Sequence, residues 1–139
     1  MQVFIVGTPL ETAMALSKRH LNNQINEANI IFDALNGKKA WSNHPCVLQY
    51  RGYERWLEMY VRTLHYYDRN IGLQLIANEE ALKLTPPFHT QEYFNQMKRR
   101  LYTKNKEHYS QWSYLGESEE NWYFVDGEWR KYINGKRIE

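Results

Sequence analysis

Apolar positions in the first third of the chain recur at helical intervals. Leu21, Ile25, Ala28, Phe32 and Leu35 are spaced by 4, 3, 4 and 3 residues, the stripe of a helix that buries one side. A second row, His20, Gln24, Glu27 and Ile31, lies roughly 90° around the axis at about 100° per residue. Glu27 is therefore expected beside the core, with Gln24 and His20 on its own row. Asn22, Asn23, Asn26, Asn29 and Asp33 take the more exposed side. The helix is expected to start upstream, with Thr8 as N-cap, Pro9 at the first helical position and Glu11 completing a capping box. Helical character runs on to Leu35, with a kink between Ser17 and His20 compatible with the pattern, and Asn36-Gly37 supplies a left-handed cap. Ahead of all this, residues 3–6 are a short apolar run suited to an extended segment.

Residues 37–46 are rich in turn formers and read as a loop. A second helix is expected from Cys46 to Asp68, with Trp56, Leu57, Tyr60, Val61 and Leu64 as its apolar face. Gly52 costs about 1 kcal/mol against alanine inside a helix, which suggests a close approach by another backbone or a ligand. A further helix, or a continuation, is expected over 71–83 and ends at Thr85-Pro86-Pro87. Thr90 caps a third main helix to Lys104, with Tyr93, Phe94, Met97 and Leu101 inward. Trp122 to Val125, Asp126-Gly127, then Glu128 to Ile133 reads as a β-hairpin with a two-residue turn. The expected fold is mostly α: a compact single domain with three main helices over 1–115 and a small C-terminal β-hairpin over 116–139, packed on it or projecting from it.

Composition narrows the function classes. A chain of 139 residues that is 42% hydrophobic has enough apolar material for one core, which excludes a disordered tail. No apolar run is long enough to span a membrane. The opening residues lack a basic n-region and a cleavable apolar stretch, and a single cysteine, Cys46, excludes an internal disulfide, so the expected location is the cytoplasm. The net charge of +2 does not by itself point to nucleic acid. Aromatic residues make up 15% of the chain, which suits stacking on bases and suits a small core equally well.

Few catalytic signatures survive. The glycines are scattered, so no phosphate-binding loop is present, and a G-x-S-x-G elbow is absent. His20, His44, His65, His89 and His108 have no zinc-ligand spacing, so neither a metal nor another cofactor is expected. Cys46, two residues from His44, is either a nucleophile or a small buried side chain. Glu27 is either ion-paired to an Arg or Lys or free for chemistry.

Several separated blocks carry a resemblance. Arg19-His20-Leu21-Asn22-Asn23-Gln24-Ile25-Asn26-Glu27-Ala28 resembles the long first helix of the pyrimidine dimer DNA glycosylases, the family of phage T4 endonuclease V and its phage and bacterial relatives. Met1-Gln2-Val3-Phe4, Trp41-Ser42-Asn43-His44-Pro45-Cys46-Val47, Arg51-Gly52-Tyr53-Glu54, Lys106-Glu107-His108-Tyr109 and Trp112 follow in the family's order, so the likeness spans roughly residues 1–115.

This resemblance implies an all-helical body that removes a damaged pyrimidine from duplex DNA and cleaves the strand at the abasic site. In the family, the α-amine of the mature N-terminus attacks the sugar C1′ and forms an imine, and a glutamate matching Glu27 assists ring opening and elimination. α-Amines as a class titrate near about 7.7–8.0, so a useful fraction is nucleophilic at neutral pH. The family's nucleophile is a threonine exposed by methionine removal. Here the second residue is Gln2, whose bulk predicts retention of Met1 and makes Met1 the expected amine. Asn26 stands where the family has a DNA-gripping arginine.

The expected catalytic set is thus Met1 and Glu27, oriented by His20 and Gln24. Arg19, Asn26, His44, Arg51, Lys98, Lys104, Tyr109 and Trp112 are the candidate DNA contacts, with Arg99 and Arg100 beside Lys98. For Lys98 to Arg100 the other reading is a solvated basic face. His44 could instead satisfy a turn, Arg51 could pair with Glu27 or Glu54, and Tyr109 and Trp112 could pack on the helices instead of stacking on an extruded base. The expected partner is duplex DNA with a damaged or abasic nucleotide, and no membrane. A second class of function also fits: a non-catalytic DNA- or protein-binding module, with a protein partner at the hairpin.

Overall fold

The computed structural model describes residues 1–70 and 83–138. The helix expected over 71–83 therefore falls, Lys83 apart, outside the described residues. The elements are α1 (Pro9–Ala15), α2 (Lys18–Leu35), α3 (Pro45–Tyr50), α4 (Glu54–Asp68), α5 (Gln91–Lys104), a 3-10 segment (Ser110–Leu115), and strands β1 (Asn121–Val125), β2 (Glu128–Ile133) and β3 (Lys136–Ile138).

The expected start of α1 is present in full. The Thr8 hydroxyl accepts from Glu11 N–H at 3.1 Å, and the Glu11 carboxylate accepts from Thr8 N–H at 3.0 Å. The single helix expected from there to Leu35 is two. Leu16 and Ser17 are both extended, and the Ser17 hydroxyl caps a new helix by accepting from His20 N–H at 3.2 Å. The apolar spacing does not register this break, because it restarts in phase. At the far end Gly37 has φ +109°, and Lys38 N–H reaches the Asp33 carbonyl at 3.1 Å, closing the left-handed cap.

The helix expected over Cys46–Asp68 is likewise two, α3 and α4, parted at Arg51 to Tyr53. Gly52 sits at φ +95°, where L-residues are strained, and its N–H donates to the Glu54 carboxylate at 3.0 Å. A side chain added there would meet nothing within 4 Å, so turn geometry and not a close approach explains the glycine.

On α2 the buried set is Leu21, Gln24, Ile25, Ala28, Ile31 and Ala34. Phe32 and Leu35, expected at the centre of the stripe, are only half-buried. The core-facing side is therefore rotated toward the Gln24 row. α2 and α1 both pack on α4, whose Trp56 and Tyr60 stack with Tyr50 in a buried column at 5.7 and 5.4 Å. Phe88 and His89 abut the column edge-on. Burying such a ring contributes about 1.5–3 kcal/mol, and these aromatics are core, not a stacking surface. α5 begins at Thr90 as expected and buries Tyr93, Met97 and Leu101, with Phe94 half-buried.

The C-terminal hairpin is the start of a three-stranded antiparallel meander, β1-β2-β3. Asp126-Gly127 and Asn134-Gly135 both have positive φ, as two-residue hairpin turns require. β1 lies on α3 and α5 and buries Trp122, Tyr123 and Val125.

Candidate active site

The amino-terminal segment is extended yet has no strand partner, so its backbone groups must find side chains. Gln2 N–H points at Glu27 Oε2 at 3.5 Å, Phe4 N–H donates to Gln24 Oε1 at 2.6 Å, and Val6 N–H donates to the Thr12 hydroxyl at 3.0 Å. Alternate amides thus face helix side chains while Val3, Ile5 and Val6 fill the core. Gln24 is the hub. Its amide nitrogen donates to the Gln2 carbonyl at 2.9 Å, and its oxygen also accepts from the Tyr60 hydroxyl. From the other side, the Tyr123 hydroxyl donates to the Met1 carbonyl at 2.9 Å.

Glu27 is half-buried at the end of this arrangement. Its Oε2 meets Gln2 N–H and Gln24 Nε2, both at 3.5 Å. Among the described residues, no Lys, Arg, His or terminal amine lies within 4.0 Å of its carboxylate. The Arg51 alternative is resolved with it: that guanidinium instead reaches the Ser42 carbonyl at 3.5 Å.

Glu27 lines a cavity of about 310 Å³ with Phe4, Arg19, His20, Asn23, Gln24 and Lys104. Residues 20, 23, 24 and 27 share one side of α2 by their i, i+3, i+4, i+7 spacing. That same spacing could have drawn Asn23 into the site from sequence, where it was placed among the solvent-facing asparagines. Phe4 gave no such signal. Burial lowers the Lys104 pKa, an effect Arg100 reinforces and Glu27 and Glu119 oppose. Burial, then the charges of Lys104, Arg19 and His108, lowers that of His20. The wall is rich in hydrogen-bond donors around one carboxylate, suited to a substrate with anionic oxygens.

The other expected residues do not line this cavity. His44 caps α3, its Nδ1 accepting from Cys46 N–H at 3.1 Å. Its pKa is lowered by burial and then by the nearby Met1 ammonium. Arg51 lines a separate cleft of about 500 Å³ with Leu48, Tyr53, Phe88 and Phe124. That cleft is larger but brings no carboxylate to the chain's first residues. Asn26 is exposed on α2. Lys98 lies over the Trp112 ring. Arg99 and Arg100 are spent on structure, donating to the Leu115 carbonyl at 2.9 Å and to Asn121 at 3.0 Å. Tyr109 and Trp112 are buried and stacked on each other at 5.3 Å, which is the packing alternative and not a free stacking face.

Cys46 is fully buried, and desolvation pushes its thiol up to about 12, which opposes a nucleophilic role. Among the described residues no group of three or more His, Cys, Asp or Glu is placed to hold a metal ion.

A carboxylate, a donor-rich cavity and the chain's first residues are thus brought together. A family model described as pyrimidine dimer DNA glycosylase matches residues 1–69. Over those residues, just under half of its length, the chain is similar to that family. The glycosylase match takes in the amino-terminal segment and α1 to α4, and hence every cavity residue except Lys104. The resembling blocks from Lys106 to Trp112 lie beyond it. No curated protein and no solved structure matches the chain. Among the described residues no helix is long and apolar enough to cross a membrane.

Proposed function

We propose that this chain acts as a pyrimidine dimer DNA glycosylase that excises damaged or modified pyrimidines from duplex DNA and cleaves the resulting abasic site through an imine on the Met1 amine. The observation that carries this reading is the 3.5 Å approach of Gln2 N–H to Glu27 Oε2, at the rim of a cavity with Arg19 and Lys104 in its wall. While Met1 is retained, the Gln2 nitrogen is an amide and not a nucleophile. The reactive amine then belongs to Met1, one residue away.

In the proposed sequence the amine lone pair attacks C1′, the C1′–base bond breaks, and the base leaves with its bonding electrons and takes up a proton. The attached nitrogen gives up a proton to Glu27, its lone pair then opens the sugar ring as the O4′–C1′ bond breaks, O4′ takes a proton, and the nitrogen is left as a cationic imine. Loss of a C2′ proton then expels the C3′ phosphate, and water releases the amine. Glu27 stabilises the cation and shuttles the protons. Gln24 is a positioning residue, since the N-terminal segment and Tyr60 occupy its amide. Arg19 and Lys104 contact phosphate. Base extrusion costs a few kcal/mol, least at damaged pairs. A cytoplasmic location belongs to the same reading.

Borohydride trapping on a duplex with one abasic site tests it. A covalent adduct that disappears after N-terminal acetylation, and forms roughly 100-fold more slowly in Glu27→Gln, supports the imine route. Binding of abasic DNA without any adduct would refute it. That outcome leaves a DNA-binding module with the family's fold. Its protein-binding counterpart would use the C-terminal sheet, where Trp129 is partly exposed.

A further inference from the structure

The break between α1 and α2 brings three residues into a closed ring of hydrogen bonds. Ser17 N–H donates to the Tyr109 hydroxyl oxygen at 2.9 Å, that hydroxyl lies 2.7 Å from His20 Nδ1, and His20 N–H donates to the Ser17 hydroxyl at 3.2 Å. Proton accounting within this ring decides the histidine tautomer. An amide N–H can only donate, so it takes a lone pair of the Tyr109 oxygen. The Ser17 side chain also lies beside the Tyr109 hydroxyl, but its oxygen already accepts from His20 N–H, so the 2.7 Å contact assigns the Tyr109 proton to Nδ1. Nδ1 is then the acceptor, and the ring hydrogen sits on Nε2. That atom has no hydrogen-bond partner among the described residues, and His20 lines the cavity that holds Glu27, Arg19 and Lys104.

We infer that Tyr109 is a positioning residue that locks His20 as the Nε2–H tautomer, so that the cavity presents a neutral donor to an anionic oxygen of the DNA backbone beside the sugar that Glu27 serves. The ligand half of this inference rests on the DNA-processing reading above; the tautomer half stands on geometry alone. Burial and the neighbouring Lys104, Arg19 and His108 keep the ring neutral, as the assignment requires. The parallel stacking of the His20 and Tyr109 rings, with centroids 5.5 Å apart, fixes the ring plane. A neutral donor held in one orientation binds without first losing a proton or turning its ring. The Tyr109 to Trp112 stack behind it gives the hydroxyl a rigid mount.

Two measurements on the full chain test the inference. Histidine nitrogen shifts in labelled protein should show His20 protonated at Nε2 and bare at Nδ1, and Tyr109→Phe should move both toward the tautomer average. A ring protonated at Nδ1 in the wild type overturns the assignment. The second measurement is binding to a duplex carrying a tetrahydrofuran abasic analogue, relative to the intact duplex. His20→Leu should lose about tenfold in that preference, whereas His20→Gln, which keeps a donor near the Nε2 position, should stay within about threefold. This comparison leaves Tyr109 untouched, so it holds even where Tyr109→Phe folds poorly. Equal preference in the two variants overturns the donor role while sparing the DNA reading. A wild type that fails to prefer the abasic duplex overturns that reading and the ligand half with it.

Discussion

The Tyr60 hydroxyl and the Gln24 carboxamide oxygen meet at 2.6 Å inside the core, at the same oxygen that receives Phe4 N–H. One carboxamide thus ties α2 both to α4 and to the chain's first residues. Burial raises the Tyr60 pKa well above its usual value, so the hydroxyl remains a donor at any working pH. Gln24→Leu strands Phe4 N–H, the Gln2 carbonyl and the Tyr60 hydroxyl together. At about 1–3 kcal/mol for each buried polar group left unpaired, the expected loss is on the order of 3 kcal/mol or more. Tyr60→Phe removes one donor and should cost about 1 kcal/mol. Urea unfolding of the two variants measures the difference, and equal losses would contradict the hub role.

A second prediction concerns the clasp on the other side of the N-terminal segment. Tyr123→Phe removes the bond to the Met1 carbonyl and should cost about 1 kcal/mol overall. The effect should be local. Amide exchange at Gln2 and Phe4 is expected to quicken more than exchange in α4, because local opening needs fewer contacts broken. Uniform quickening across the protein would show that the hydroxyl has no special hold on this segment.

His89 governs the acid side of stability. It is buried against the Tyr50–Trp56 column, its Nε2 lies 2.8 Å from the Tyr50 hydroxyl, and desolvation lowers its pKa from 6.5 to about 3. Between these values the unfolded chain binds a proton that the folded chain refuses. Stability is therefore fully present above pH 6.5 and falls as the pH drops toward 3, by up to about 1.4 kcal/mol per unit for this one group. His20 and His44 shift in the same direction. Urea midpoints at pH 7 and pH 5 should differ clearly in the wild type and by less in His89→Phe, which keeps an aromatic ring there.

The thiol offers a simple check on packing. Cys46 is fully buried, raised to about 12, and touched by the Gln49 amide at 3.7 Å. Ellman's reagent at pH 8 should leave the native protein unmodified and react with one thiol per chain once urea is added. Rapid reaction in the native state would mean that the segment beside α3 opens readily.

Much of this architecture was legible in local signals. The Thr8 and Thr90 caps, the Asn36-Gly37 stop and the Asp126-Gly127 turn are each set by residues within a few positions of one another, where sequence reasoning is strongest. The breaks at Leu16–Ser17 and Arg51–Gly52 were legible only as a kink between Ser17 and His20 and as a glycine ill-suited to a helix, because apolar spacing describes only the side that faces the core and that side continues across both. β3 was missed although Asn134-Gly135 carries the same turn signal as Asp126-Gly127. The His20–Gln24–Glu27 row followed from helical periodicity, and the cavity follows that row. Lys104, Tyr109 and Tyr123 reach the same region from far along the chain. No spacing rule could distinguish Tyr109 behind His20 from a ring stacked on a base.

The Tyr123–Met1 bond joins groups 122 positions apart in the chain. Ribosomes add about 5–20 residues per second, so roughly 6–25 s pass between the making of Met1 and the arrival of the hydroxyl that holds it. During that interval the nascent start of the chain can lean on Thr12, Gln24 and Glu27 once α1 and α2 form, but it is open on its other flank. Enzymes that trim or acylate new N-termini have this window to work in, before Tyr123 of β1 reaches the Met1 carbonyl. Modification of the Met1 amine, where it occurs, therefore has its freest access before Tyr123 has been made.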